Sequence, residues 1–153
     1  MSGVIFNVVS PEITLTASTT KTMLQVTAAA NHRIKILGYT VSFNEPVGDA
    51  TPAQPIILTL GTQTGGSGGT SVTPVKRKGT ETVLTTATHT LTSAATTTAI
   101  EKQYVNSQTG VSVMFPMGQE IEVAGSGIFG IDVTTGTLSS ATLKGIFNLL
   151  IEE

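Results

Sequence analysis

The chain has 153 residues and a formal net charge of −2, only 12% of its residues are charged, and it contains no Cys and no Trp. The absence of Cys excludes a disulfide framework and a thiolate metal site. The slightly acidic balance argues against a general nucleic-acid binder, which needs a basic stripe to neutralise phosphates.

The first segment is apolar on both faces when drawn as an extended strand, until Ser10-Pro11 interrupts it. A run of this kind is hard to leave exposed to water. We predict that residues 1–18 form an N-terminal extension, or arm, with short strands. Residues 1–9 of this arm are predicted to add to a sheet edge on a neighbouring subunit or on a larger assembly. The candidate assembly contacts are Val4, Ile5, Phe6, Val8 and Val9.

The run Arg33 to Phe43 is the longest segment with strand character. Its apolar residues alternate with period two, but the alternation changes phase by one residue after Ile36. A change of phase would turn the apolar residues toward solvent unless the strand bulges. Because a bulge is sterically easy at glycine, the pattern predicts a bulge near Leu37-Gly38.

The middle of the chain is rich in turn-forming residues and gives a weaker signal. Asn44 to Gln54 is predicted to be a loop, and Gly61 to Gly79 a flexible tip or hairpin end with a short returning strand. Thr80 to Thr98 is almost entirely Thr, Ala and Ser, with weak alternation. It is predicted to be either an edge strand or a long surface loop.

Short alternating runs separated by Gly and Pro turns continue to the end of the chain, and the last of them covers residues 142–151. About eight main strands with no helical period predict an all-β fold, an antiparallel, jelly-roll-like β-sandwich. Residues 19–153 are predicted to form this single domain. An immunoglobulin-like sandwich is the alternative, although its Cys and Trp marks are absent.

Motifs associated with chemistry are weak in this sequence. Gly125 to Gly130 matches GxGxxG, but a dinucleotide site needs a helix after the string, and a strand pattern follows here. His32 and His89 lack neighbouring ligands at metal-binding spacing, and Glu120 and Glu122 are predicted to be a solvated pair, with Asp132 outward on a later strand. We therefore predict no catalytic, cofactor-binding or metal-binding residues, no cofactor and no enzymatic activity.

Three segments resemble small jelly-roll virion proteins of tailed bacteriophages. Arg33 to Phe43 resembles their long early strand, Phe115 to Val123 their turn between two late strands, and Leu143 to Ile151 their closing strand. This likeness of pattern over residues 20–153 implies a capsid decoration (cement) protein that forms a homotrimer and binds the major capsid protein. It also implies a location on the capsid surface of the virion after synthesis in the host cytoplasm.

Other functions remain open at this point. A nearly neutral Thr-rich sheet surface suits contact with another protein, but Thr also serves strand formation alone. The alternative function is a carbohydrate- or receptor-binding module of a phage tail or head fibre, which the lack of Trp makes less favourable. The basic cluster Lys76-Arg77-Lys78 is predicted to be a solvated loop tip; its alternative is contact with an acidic partner or a nucleic-acid backbone. We expect no nucleic acid and no membrane among the partners.

Overall fold

The computed structural model of the chain describes residues 3–44, 56–138 and 143–153. Every regular element in these ranges is a strand, and every strand pairing is antiparallel. The predicted loop after Asn44 lies outside the described residues. The thirteen strands are β1 Ile5–Val9, β2 Ile13–Thr14, β3 Thr20–Thr27, β4 Ile34–Phe43, β5 Ile56–Thr64, β6 Thr70–Val72, β7 Val75–Lys78, β8 Thr86–His89, β9 Thr96–Val105, β10 Val111–Met114, β11 Ile121–Val123, β12 Ile128–Thr134 and β13 Lys144–Glu152.

Two sheets pack against each other. Sheet A has the order β10-β4-β13-β1-β7, with β11 also on β4 and β2 also on β13; sheet B has the order β6-β8-β3-β12-β5-β9. The alternate apolar residues of both sheets meet in one core, in which Phe6, Phe129 and Phe147 are completely buried. The all-β antiparallel sandwich predicted from the sequence is confirmed, while the jelly-roll connectivity stays a prediction.

The N-terminal segment is an integral strand and not an extension, which corrects the assignment of residues 1–18. Strand β1 lies inside sheet A between β13 and β7. Val4, Phe6 and Val8 are buried in the core of the same chain, so they are not free to contact a neighbouring subunit. One face of the segment forms part of the core. The other face, which carries Ile5 and Val9, is the outer face of an interior strand.

The predicted bulge in β4 is confirmed. Leu150 lies opposite Gly38 and Ile151 lies opposite Ile36, so Leu37 is the extra residue. The bulge keeps Ile36 and Tyr39 on the core side despite the change of phase. Glycine is required at position 38, because a Cβ there would lie 2.5 Å from the Val113 carbonyl oxygen on β10.

Two connections cross the outer surface of sheet B and change the interpretation of the middle of the chain. The glycine-rich segment 65–69 joins β5 to β6, and the segment 90–95 joins β8 to β9, from one side of the sheet to the other. The two segments pair with each other at one point, an antiparallel β-bridge between Ser67 and Ser93. Strand β8 pairs with both β3 and β6, so residues 80–98 contain an interior strand as well as a surface crossing.

The tip predicted for Gly61 to Gly79 begins too early. Strand β5 continues through Gly61 to Thr64 and pairs with β12 and β9 along this stretch. Polar residues hide the continuation in the sequence, because Thr62 and Thr64 are exposed and the buried Gln63 forms hydrogen bonds and does not pack in the apolar core.

Candidate docking surface

Sheet A presents one face to the core and the other away from it. Residues directly opposite each other on antiparallel strands share a face. Asn7 lies opposite Leu150, and Asn148 lies opposite Thr40. Met114 lies opposite Gly38. The uncharged outward residues of the five strands, called the A face below, are Ile5, Asn7, Val9, Gly38, Thr40, Ser42, Val75, Ser112, Met114, Ile146, Asn148 and Leu150. Four charged residues, Lys35, Lys78, Lys144 and Glu152, lie on the same side of the sheet.

Charged side chains lie next to this uncharged set on the same side of the sheet. Lys35 is opposite Glu152 near one end, and Lys144 forms an ion pair of 3.3 Å with Glu12 near the other. Lys78 lies opposite Ile5, and Arg77 lines the depression described below. The uncharged positions between these charges can be covered by another protein at low desolvation cost.

Large apolar side chains on the A face reach solvent. Val9 is 44% exposed, Met114 63% and Val75 61%. A depression of about 170 Å³ between Val9, Met114 and Leu150 lies in the middle of the face. Small-molecule sites usually have volumes of roughly 300–1,000 Å³, so this depression suits an inserted side chain better than a ligand.

A second feature, on sheet B, is a polar network that is closed to solvent. The Gln63 side-chain amide donates to Asp132 Oδ1 at 2.9 Å and to Thr97 Oγ1 at 3.0 Å, and it accepts from Gln25 Nε2 at 2.9 Å. The Thr97 hydroxyl donates to the other carboxylate oxygen of Asp132. The Thr22 hydroxyl bonds Asp132 as well and accepts from the Ala95 backbone amide at 3.0 Å.

The network fastens the crossing segments to the sheet. Asp132 points away from the core, as predicted, but it is only 4% exposed because these segments cover it. Burial raises the pKa of the Asp132 carboxyl, and the hydrogen bonds from Thr97, Thr22 and Gln63 oppose this rise. The carboxyl group therefore links strands β3, β5 and β9 to β12 through hydrogen bonds.

A third polar group connects the two sheets. The Tyr39 hydroxyl of β4 donates to Glu101 Oε2 at 2.8 Å and accepts from Gln103 Nε2 at 2.6 Å, both on β9. Burial raises the pKa of Tyr39 well above its usual range, and the neighbouring Glu101 carboxylate adds to the rise. Tyr39 is therefore a neutral hydrogen-bonding bridge at physiological pH.

The remaining residues singled out from the sequence do not converge. His32 lies in a loop 3.7 Å from Glu153 Oε1, whereas His89 is half-buried on β8 and bonds Thr90 Oγ1. In residues 3–44, 56–138 and 143–153, no group of three or more metal-ligating side chains comes together. Glu122 forms an exposed ion pair with Arg33 at 3.1 Å.

The glycine-rich motif and the basic cluster both belong to strands or to the turns that lead into them. Gly125 to Gly127 forms a turn into β12, and Gly130 lies on β12 beneath the Gln63 side chain. The Lys76-Arg77-Lys78 cluster belongs to strand β7 at an edge of sheet A, so it is exposed but is not a loop tip.

Sequence reasoning did not find most of the A face. The available signal was the run of uncharged outward positions on β13, Ile146, Asn148 and Leu150, facing uncharged positions on β4 and β1. Neither strand order nor the interior position of β1 follows from these patterns.

No family model, curated protein or solved structure matches this chain. In the described part of the chain, no helix has the length and apolar character needed to span a membrane.

Proposed function

We propose that the protein is a capsid decoration (cement) protein, a homotrimer that adheres to the major capsid protein on the outside of a phage head and stabilises it. The A face carries the proposal, because it combines uncharged positions with apolar side chains that are exposed on an interior part of the sheet. The resemblance of residues 33–43, 115–123 and 143–151 to small jelly-roll virion proteins supplies the identity of the partner. No reaction is part of this function.

The size of the A face fits such a contact. Its five strands have four to ten residues each and lie about 4.8 Å apart, so together they cover roughly 500 Å². A stable interface buries about 800 Å² on each partner, so the A face supplies most of one. The occupant that it favours is a partly apolar shell surface that covers Val9, Val75 and Met114, because burying these exposed side chains removes apolar area from water.

Mixing the purified chain with undecorated phage shells and imaging them by cryo-electron microscopy tests the function. We expect regularly arranged density on the shell with the A face against it, and shells that resist heating better than bare ones. Regular density with the A face directed to solvent would refute the assignment of the face. An absence of binding to shells of the virus that encodes the chain would refute the function.

A pair of matched variants tests the surface. Val9→Lys places a charge on the A face, whereas Leu84→Lys places the same charge at a position of similar exposure outside it, 47% against 44%. We expect Val9→Lys, and Met114→Lys with it, to weaken shell binding at least tenfold in a cosedimentation assay. Leu84→Lys is expected to bind as the unmodified chain does.

A carbohydrate- or receptor-binding module is the second candidate, and one observation favours it. Tyr104 on β9 is 73% exposed and can offer a ring for stacking on a sugar. A glycan array screened with the unmodified chain and with Tyr104→Ala tests this function. Binding that is lost in the variant would support it, whereas binding to no glycan would count against it.

A further inference from the structure

The ends of the two sheets differ in how well they are protected from pairing with another chain. An unprotected strand edge presents backbone donors and acceptors to any extended partner, and proteins shield such edges with short strands, charges or prolines. In the described part of sheet A, one edge is β7, which carries three consecutive cations. The other edge is formed by β10 and β11, which are only four and three residues long. In sheet B, β6 at one end has only three residues.

Strand β9, at the other end of sheet B, lacks most of this protection. It has ten residues, and among the described residues it pairs on one side only, with β5. Glu101 and Lys102 are its only charged residues, so its net charge is zero, and it contains no Pro. A bulge at Ile100 interrupts it once, since Leu60 is opposite Glu101 and Gly61 is opposite Ala99.

The outward side chains of β9 also favour contact with a partner. Ile100 is 50% exposed and Tyr104 is 73% exposed. The Tyr39 bridge holds Glu101 and Gln103 against sheet A, so the strand is fixed in an extended shape before any partner arrives. A preformed edge loses little conformational entropy when a second strand joins it.

We infer that β9 is the self-association edge of this protein and pairs through its backbone with a strand of a second copy of the chain. The inference rests on the self-association that is part of the proposed function, and it needs no shell. A second copy is the occupant because self-association is part of the proposed function, and β9, with zero net charge, can approach another edge of the same nearly neutral chain without charge repulsion. In a trimer the pairing is heterologous, so β9 meets a different edge of the next copy.

Light scattering over a range of concentrations, with charge variants, gives the first test. We expect the unmodified chain to form an oligomer. We expect the concentration below which the oligomer dissociates to be at least tenfold higher for the double variant Ile100→Lys/Tyr104→Lys. The control Leu84→Lys/Met117→Lys adds the same charge at exposed positions outside sheet B strands and is expected to keep the oligomer. An unmodified chain that is monomeric at all concentrations would overturn the inference.

Hydrogen–deuterium exchange of the unmodified chain gives a second test, which needs no substitution and therefore does not depend on a variant folding correctly. We expect amides in Thr96–Val105 to exchange more slowly in the oligomer than after dilution to monomer, while amides of β7 exchange equally in both. An oligomer in which β9 exchange does not depend on association would overturn the inference. Shell binding is measured separately, so a monomeric double variant that still decorates shells would support the β9 edge and leave the A face proposal standing.

Discussion

The Gln63 side chain lies across Gly130 and donates a hydrogen bond of 2.9 Å to Asp132 on the same strand, β12. This arrangement brings together three features that look unrelated in the sequence: a glutamine in a Thr- and Gly-rich stretch, the last glycine of GxGxxG and one of two aspartates. Together they hold the segment 90–95 over sheet B. Strand β9, which begins where this segment ends, contributes Thr97 to the same network.

Gly130→Ala should destabilise the protein, because the new Cβ would lie 2.2 Å from Gln63 Oε1. Displacing the Gln63 amide breaks its buried bonds, and we expect a loss of about 1–3 kcal/mol in the free energy of unfolding. Gly136→Ala is the control, because nothing lies within 4 Å of its Cβ position. Urea denaturation measures both; equal stabilities would contradict the position of Gln63.

Asp132→Asn should change the pH dependence of stability. Burial raises the folded-state pKa of Asp132 above the unfolded value of about 4. Between these two pKa values the folded state binds more protons than the unfolded state, so this carboxyl group's contribution to stability falls as pH rises through that window. We expect the stability of the unmodified chain relative to Asp132→Asn to decrease from acidic to neutral pH. An increase would mean that hydrogen bonding outweighs burial.

Tyr39→Phe should weaken the contact between the sheets. The variant leaves Glu101 Oε2 without its donor and Gln103 Nε2 without its acceptor, at an expected cost of about 1–3 kcal/mol in unfolding free energy. Tyr104→Phe removes the same hydroxyl from an exposed ring and should change stability by about 0.5 kcal/mol or less. Thermal and chemical denaturation of both variants check this difference.

Phe6→Ala should show whether the N-terminal segment belongs to the core. Phe6 is completely buried, and truncating a buried Phe costs about 3–5 kcal/mol. Val9→Ala, on the opposite face of the same strand, should cost about 1 kcal/mol or less. If the segment were an arm that docks on another subunit, Phe6→Ala would alter assembly and leave the unfolding of the isolated chain unchanged.

The candidate surface could be predicted only in part. The sequence pointed to Ile5 and Val9 as contact residues, and the structure places both on the A face. It pointed equally to Val4, Phe6 and Val8, which the structure buries, because a strand that is apolar on both faces does not reveal which face another sheet will cover. Met114 and Leu150 join Val9 only through the pairing of strands far apart in the chain.

Local alternation by itself determined the all-β class and the bulge at Leu37, because side-chain period and phase are properties of neighbouring residues. Tertiary structure alone decided that β1 is an interior strand, that Asp132 is covered and that β9 stands at a sheet edge. Each of these depends on which distant strands become neighbours. That choice is made by the packing of whole sheets and by the crossing connections, which leave no periodic trace in a Thr- and Gly-rich sequence.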